Sequence, residues 1–398
     1  MAEIRIVNAE YVNPISKQFN CSYCGKLSNG HGRCAGCHAI IYCSQQCQRL
    51  HWPAHKGFCR KIKKCQQKVH DEATALRSYI GFNESEPVDA FDPANDMIGY
   101  FWSLLGPRDY CRARYTLASA LHACGSQNSS RLALELATEH YLDLIWLIRG
   151  DNMGIRDTLP FLLLEQGRHQ EAYDFIKWWQ ICDPDGHYDW GDTTLPYVCL
   201  KNENMYEDIS ELKLSKYTMT KQLMALFLLK LKLCDQIRKD YVHRRQEMKK
   251  KFDSFLMGSH SRLGIDSNVM KISRCLPALQ MIMQYVVPDQ DRNKKRQLED
   301  LEKQLDILFP MIDIGNKYAI PAFLNPASIL SLDAPHSSSH GSVEEAYCAV
   351  ADGHCASKFA ISDLTERYAK IYGPTASKEY RNPEVFKAEL SPHSYMNF

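Results

Sequence analysis

The stretch from Cys21 to Cys59, CSYCGKLSNGHGRCAGCHAIIYCSQQCQRLHWPAHKGFC, decides how the N-terminal part of this chain folds. Its eight metal-ligand side chains are Cys21, Cys24, Cys34, Cys37, Cys43, Cys47, His55 and Cys59. A Cys-x2-Cys turn places two sulfur atoms on one side of a tight loop, and four such ligands close a tetrahedral shell around Zn²⁺. Eight ligands therefore predict two structural zinc ions, because so short a segment has too little core to fold without them.

The spacing alone leaves the pairing of these ligands open. A sequential pairing would join the first four cysteines at one site and the last four ligands at the other. An interleaved pairing would join the first and third pairs of ligands at one site and the second and fourth pairs at the other. Cys43 and Cys47 are four residues apart, and so are His55 and Cys59, so each pair is expected on one face of a helical turn. Pro53 lacks an N–H and suits the first turn of a helix, which predicts a break near His51.

The series Cys-x2-Cys, Cys-x2-Cys, Tyr-Cys-x3-Cys-Gln and Trp-x2-His-Lys-x2-Cys resembles a MYND-type zinc finger, and it fills about a tenth of the chain. Besides the ligands, four accessory positions match: Tyr42, Gln48, Trp52 and Lys56. The resemblance implies the interleaved arrangement. One zinc ion would then bind Cys21, Cys24, Cys43 and Cys47, and the other would bind Cys34, Cys37, His55 and Cys59.

The same resemblance implies a binding face on the finger. In it, Gln48 and Trp52 line a shallow groove for short proline-rich peptides, and an aromatic face suits the preformed polyproline II conformation. The alternative is that Trp52 only packs the finger together. The surplus His51 is expected to face solvent, because eight ligands already satisfy two sites.

Composition narrows the class of protein. The 398 residues are 45 % hydrophobic and 24 % charged, as in folded proteins, and the formal net charge of +1 predicts no overall field that attracts nucleic acid or membranes. No apolar run is long enough for a membrane helix, and the N-terminus lacks the apolar core of a signal peptide. Sixteen cysteines without such a signal favour a reducing compartment, so we predict a nuclear or cytoplasmic protein that is not secreted.

After Cys59 the apolar residues recur at helical spacing, which predicts a mainly α-helical fold: a two-zinc finger followed by helical hairpins. The predicted domains are an N-terminal extension (1–18), the finger (19–60), a connecting helix (61–82), a helical repeat-like domain (96–332), a loop (333–342) and a C-terminal helical segment (343–398). Residues 154–184 resemble a degenerate tetratricopeptide repeat, with Ala137 and Ala172 close to one repeat length apart. A generic helical bundle is the alternative.

Several element boundaries follow from local signals. Ser342 and Glu345 form a capping box that opens a helix. The other expectations are a helix at 61–80 stopped by Gly81, a helix at 193–200, helical residues 218–251 in two elements meeting near Asp240, and a helix ended by Pro310. The acidic segment at 83–95 is predicted to be a linker, either a hinge between two bodies or a loop within one.

Two groups of residues could indicate other functions, namely nucleic-acid binding and catalysis. The basic run from Arg238 to Lys251 is interrupted by Glu247 and has no aromatic ladder, which favours a solvated helix face and disfavours nucleic-acid binding. His354 and Cys355 are adjacent on a helix, so they are not expected to pair as a catalytic dyad.

The sequence therefore predicts a non-enzymatic scaffold or adaptor, with protein partners that carry proline-rich peptides and a second partner on the helical body. Transcriptional regulation follows by analogy with MYND proteins. The alternative is a divergent SET-and-MYND-like lysine methyltransferase. That reading is disfavoured because only 20 residues precede Cys21 and no Asn-His-x-Cys-x-Pro-Asn segment follows.

Overall fold

The protein is seen in a computed structural model, which describes residues 19–28, 32–81, 86–214, 218–260, 289–335 and 338–390. Helices dominate these residues, which confirms the expected mainly α-helical class. Two short antiparallel strands, β1 (Phe19–Asn20) and β2 (Leu27–Ser28), pair in the finger. The helices are α1 Gln45–Leu76, α2 Pro107–Gln127, α3 Arg131–Leu147, α4 Ile155–Glu165, α5 His169–Ile181, α6 Thr220–His260, α7 Asp289–Gly315, α8 Ala319–Leu324, α9 Pro326–Leu330, α10 Val343–Ser357, α11 Ile361–Tyr372 and α12 Pro383–Ala388. Of the helices in these residues, none is both long and apolar enough to cross a bilayer.

Helix α1 runs without interruption through Pro53, so the predicted break near His51 is wrong. A proline inside a helix costs about 3 kcal/mol, because its ring displaces a carbonyl and one hydrogen bond is lost. A structural zinc ion contributes on the order of 10 kcal/mol, and α1 carries ligands on both sides of Pro53. Metal binding therefore outweighs the cost of the proline. The helix ends at Leu76, before the expected stop at Gly81.

Two hydrophobic cores meet at the α4–α5 hairpin. The first core contains finger residues together with α1, α2 and α3, and it takes Leu162 and Trp178 from the hairpin. The second core lies among α6 to α12, and it takes Phe161 and Tyr173 from the same hairpin. Each helix of this hairpin therefore buries both of its sides, which explains why its sequence lacks a single apolar stripe. The hairpin matches the predicted helix pair at 154–184, while its identity as a tetratricopeptide repeat stays a prediction.

The described part of the acidic segment at 83–95 is packed against the helices. Tyr79 and Val88 exchange backbone hydrogen bonds of 2.9 Å, and the amide of Ala90 donates to the carbonyl of Leu76 at 2.9 Å. Ala90 and, further on, Phe101 are completely buried. From residue 86 onward the segment is thus a loop within one body, which favours this alternative over a hinge between two bodies.

Residues 193–200 form no helix, contrary to prediction. They are held by Arg149, whose side chain is fully buried. Its guanidinium donates hydrogen bonds to the carbonyl of Asp192, to the carbonyl of Leu195 at 3.0 Å and to the hydroxyl of Tyr188 at 2.8 Å. A helix would occupy these carbonyls itself, so the buried cation imposes an irregular path that local propensity does not reveal.

Helices α6 and α7 pack side by side in antiparallel directions. Helix α6 passes Asp240 without a break, and α7 continues beyond Pro310 to Gly315, so both predicted boundaries are wrong. The basic run lies partly against acidic neighbours: Arg238 pairs with Glu302 and Asp363. The predicted helix start at Val343 is confirmed, because the amide of Glu345 donates to Ser342 Oγ at 3.2 Å. The return bond of a capping box is not formed, since the Glu345 carboxylate accepts from the amide of Gly341 at 2.7 Å.

Replacing Arg149 by methionine should destabilise the whole chain. The substitution removes three hydrogen bonds to two carbonyls and a hydroxyl of half-buried residues, at about 1 kcal/mol each, so the free energy of unfolding should fall by about 3 kcal/mol. Urea denaturation followed by circular dichroism measures this loss. The control is Arg131→Met, which removes a side chain that is 57 % exposed and its ion pair with Glu135, and it should cost less than about 1 kcal/mol. Equal losses in the two variants would show that Arg149 does not hold this segment.

Candidate metal centre and peptide-binding face

The first ligand cluster joins the start of the finger to the start of α1. It contains Cys21, Cys24, Cys43 and Cys47. Cys47 lies in the first turn of α1, whose N-cap Ser44 accepts a hydrogen bond from the amide of Cys47 at 3.2 Å. Cys43 precedes this cap, so the expectation that both cysteines lie on one helical turn is wrong. The sulfur of Cys43 is nevertheless 3.5 Å from the sulfurs of both Cys24 and Cys47.

The second cluster is buried and consists of Cys34, Cys37, His55 and Cys59. The Sγ atoms of Cys34 and Cys59 are 3.7 Å apart, and Cys37 Sγ is 3.4 Å from His55 Nε2. His55 and Cys59 lie one turn apart on α1, as the spacing predicts. The two clusters are therefore interleaved along the chain, in the arrangement that the resemblance implies and not in the sequential one.

The distances between ligand atoms test whether zinc fits. Ligands at 2.3 Å around a tetrahedral zinc ion are separated by about 3.8 Å, close to the separations in both clusters. Burial, the largest cause, lowers the pKa of His55 to about 4, so its imidazole is neutral and can offer a lone pair. Burial also raises the pKa of Cys37, and a divalent cation supplies the charge that a buried thiolate needs. Both clusters thus fit a closed structural zinc site with four protein ligands.

The helical body covers the second cluster. Ser130, the N-cap of α3, donates from Oγ to the carbonyl of Ala39 at 2.8 Å. On the other side, Gln66 of α1 donates from its amide nitrogen to the carbonyl of Cys37 at 3.0 Å. Sequence patterns do not reveal these two contacts, because a serine at an N-cap and a glutamine on a helix are common. They fix the loop between Cys34 and Tyr42 against the body.

His51 lies inside the finger, so the expectation that it faces solvent is wrong. Only 8 % of the residue is exposed, and the hydroxyl of Tyr42 is 3.0 Å from its Nδ1. Its ring stacks on that of His55 with 5.9 Å between the centroids. His51 belongs to neither cluster, and its ring packs against the ring of the metal ligand His55.

Trp52 projects from the same turn of α1 toward solvent. It is 42 % exposed, and its ring meets the ring of His55 edge-on at 6.2 Å. Gln48 is half-buried one turn earlier on the helix. Tyr23 and Leu50 are also exposed on the finger. The two residues predicted to bind peptide are therefore accessible, on the surface of the helix that carries the zinc ligands.

The pair of His354 and Cys355 is closer than expected, because Cys355 Sγ lies 3.4 Å from His354 Nε2. The prediction that their side chains do not meet is therefore wrong. Burial, however, raises the pKa of the Cys355 thiol, which keeps it protonated and a weak nucleophile. Cys355 lines a cavity of about 240 Å³ together with Glu165 and Lys232.

Comparison with known proteins identifies the finger. Residues 21–59 match the family model described as the MYND finger. The chain is 30 % identical over 76 residues to SET domain-containing protein 14 of Caenorhabditis elegans, covering 18 % of either chain. It is 39 % identical over 56 residues to Dauer abnormal formation protein 25 of the same organism, covering 14 % of each. It is 32 % identical over 66 residues to human Histone-lysine N-methyltransferase SMYD3, covering 15 % of each.

These matches are short. The chain spans less than a fifth of the length of each of these three relatives, and only the MYND region matches the methyltransferases. No solved structure matches the chain. The comparisons therefore establish a MYND finger, while they carry no activity over to the helical body.

Cys37→Ser should remove one zinc ion and weaken the body at the same time. A serine leaves the buried shell with three strong ligands, so zinc content should fall from two ions to one, and the melting temperature should drop because this shell lies in the first core. Atomic emission and calorimetry measure the two effects. Cys65→Ser, on α1 but outside both clusters, should keep two zinc ions. Two retained ions in Cys37→Ser would refute the ligand assignment.

The two zinc ions should leave at different rates. Cys24 is exposed and Cys43 and Cys47 are partly exposed, whereas all four ligands of the second cluster are buried. A chelator should therefore release zinc in two phases of equal amplitude, recorded with a colorimetric zinc dye. Cys24→Ser should lose the fast phase and retain the slow one. A single phase in the wild-type protein would contradict the difference in burial.

Proposed function

We propose that this protein is a non-enzymatic scaffold or adaptor, whose MYND finger binds short proline-rich peptides at Gln48 and Trp52. The observation that carries the proposal is the exposure of Trp52, at 42 %, on a helix fixed by two metal clusters. The exposure of a large aromatic ring to water is unfavourable, so a ligand that covers the ring gains free energy. A rigid ring also loses little entropy when a polyproline II segment stacks on it. MYND fingers are interaction modules, which supports protein partners.

The geometry of the metal clusters supports a structural role over a catalytic one. Each cluster offers four protein ligands, so neither zinc ion would keep the open position that hydrolytic or transfer chemistry uses. The methyltransferase alternative draws on the printed names of the relatives, such as Histone-lysine N-methyltransferase SMYD3. Transfer of a labelled methyl group from S-adenosylmethionine to histones by the zinc-loaded protein would favour that alternative, and no transfer would remove it.

The helical body supplies a second surface in this proposal. Ile307 and Ile314 are seven residues apart on α7, and they are 50 % and 82 % exposed. Two apolar side chains on one helix face, two turns apart, suit contact with another protein. The hairpins α2–α3 and α4–α5 place Ala137 and Ala172 in fully buried positions 35 residues apart. That spacing supports a tetratricopeptide-like arrangement, in which stacked hairpins present a binding face.

The compartment belongs to the same proposal. A finger held by seven thiolates requires reduced cysteines, and fifteen described cysteines are free of disulfides. This chemistry suits the nucleus or the cytosol. A role in transcriptional regulation rests on analogy with other MYND proteins.

Trp52→Ala should weaken binding to a proline-rich probe while zinc content stays at two ions. The probe is a labelled ten-residue peptide with Pro-Pro at its centre, and fluorescence anisotropy with the full chain measures its affinity. Loss of one stacking contact should weaken binding roughly tenfold or more. Leu50→Ala is the matched control, because Leu50 is 54 % exposed on the same helix but points away from Trp52. Equal affinity of the Trp52→Ala variant and the wild type would refute the groove.

A further inference from the structure

The charges of this chain are segregated. Residues 11–70 contain ten lysines and arginines and no aspartate or glutamate, whereas the other residues contain 38 basic and 47 acidic side chains. Seven thiolates and two divalent zinc ions leave the basic stretch at about +7. The net charge of +1, which predicts no overall field, therefore conceals a strongly basic finger attached to an acidic remainder.

The basic side chains of the finger and α1 are exposed and largely without acidic neighbours. The described ones are Lys26, Arg33, Arg49, Lys56, Arg60, Lys61, Lys63, Lys64 and Lys68, and all are exposed. Within the described residues, Lys68 alone among them forms an ion pair, with Glu72 at 2.5 Å. Like charges held close together repel one another, so an anionic ligand that lies among them gains free energy.

Four of these cations continue the surface around Trp52. Arg49, Lys56, Arg60 and Lys63, here called the basic row, are separated from each other and from Trp52 by steps of three or four residues. At 3.6 residues per turn they fall with Trp52 in one sector of roughly 80° on α1, over about 20 Å of helix axis. Lys56 and Arg60 are one and two turns beyond Trp52. A ligand that covers the tryptophan and continues along the helix must therefore meet this row.

We propose that the basic row recognises acidic side chains in the same peptide that docks on Trp52, so that the partner is an acidic, proline-containing segment. This inference rests on the proposed peptide groove and names its ligand class. An extended peptide advances about 3 Å per residue, so about six residues span the row. Carboxylates two to five positions from the stacked proline would lie over Lys56, Arg60 and Lys63.

An acidic peptide fits this surface better than a nucleic acid does. Tracks for single-stranded nucleic acid stack successive bases on several aromatic rings, and the sector of the basic row holds one, Trp52. A long polyanion would also extend past the finger toward the remainder of the chain, where acidic side chains outnumber basic ones by nine. A short segment with a few carboxylates takes up the local charge without that repulsion.

Three labelled probes test the proposal with the full, zinc-loaded chain. The first is a ten-residue Pro-Pro peptide with glutamates at the second to fifth positions after the prolines, the second has glutamines in their place, and the third is a single-stranded oligonucleotide with four phosphates. Exposed ion pairs contribute up to about 1 kcal/mol each, so the glutamate probe should bind roughly tenfold more tightly than the glutamine probe at low salt. The preference should shrink as salt rises, because the pairs are screened.

The triple variant Lys56→Glu, Arg60→Glu, Lys63→Glu should lose the preference for glutamate while it still binds the glutamine probe like the wild type. The matched control is Lys239→Glu, Lys295→Glu, Lys303→Glu, which reverses three lysines that are each more than 70 % exposed on α6 and α7. This control changes the total charge by the same amount and should keep the tenfold preference. Loss of the preference in the control as well would mean that only net charge matters, which overturns the inference.

The outcomes separate the inference from the function on which it rests. Equal binding of the glutamate and glutamine probes by the wild type, lost in both cases by Trp52→Ala, would overturn the basic row and leave the peptide groove standing. Binding of the glutamate probe that survives Trp52→Ala would overturn the shared site. Tighter binding of the oligonucleotide than of the glutamate probe, with loss in the triple variant, would assign the row to nucleic acid instead.

Discussion

The buried shell formed by Cys34, Cys37, His55 and Cys59 is the constraint on which the rest of the structure depends. Two of its ligands come from the finger loop and two from α1, so closing it fixes that loop to a helix which also packs on α2. The same cluster lies in the core that contains the first helices of the body. Because interiors pack densely, the finger cannot turn relative to those helices without opening this core. The surface around Trp52 is therefore presented in one orientation.

The ligands of the metal centre were readable from spacing, and their pairing was not. A Cys-x2-Cys turn identifies two ligands of one site through local geometry alone, whereas the second pair of each site comes from a distant part of the chain. His51 shows the same limit. Its burial depends on Tyr42 and on the stacked ring of His55, which come together only once α1 has formed. Sequence spacing predicts what lies within one turn, and the tertiary fold decides the remainder.

The predicted helix boundaries were wrong where a stronger tertiary interaction outweighed a local sequence signal. Pro53 and Pro310 are both breakers, yet α1 and α7 continue through them because each helix is anchored on both sides of its proline. At residues 193–200 the opposite happened. Helical propensity yielded to Arg149, since a buried guanidinium needs acceptors and takes them from the backbone carbonyls of Asp192 and Leu195. A propensity of a few tenths of a kcal/mol per residue does not compete with burying a charge.

The net charge did not reveal the basic surface for a related reason. A sum over the chain contains no information on where the charges lie. Up to residue 70 the finger and α1 carry basic but no acidic side chains, whereas the acidic residues begin at Asp71 near the end of α1 and are distributed over the other helices. Such a separation orients an approaching anion before contact, and it penalises any anion long enough to reach the acidic part. The length of a ligand thus becomes a selection criterion along with its charge. A short acidic segment that ends where the basic row ends, at Lys63, meets both criteria. A folded acidic surface neither stacks on Trp52 nor fits the narrow width of the row.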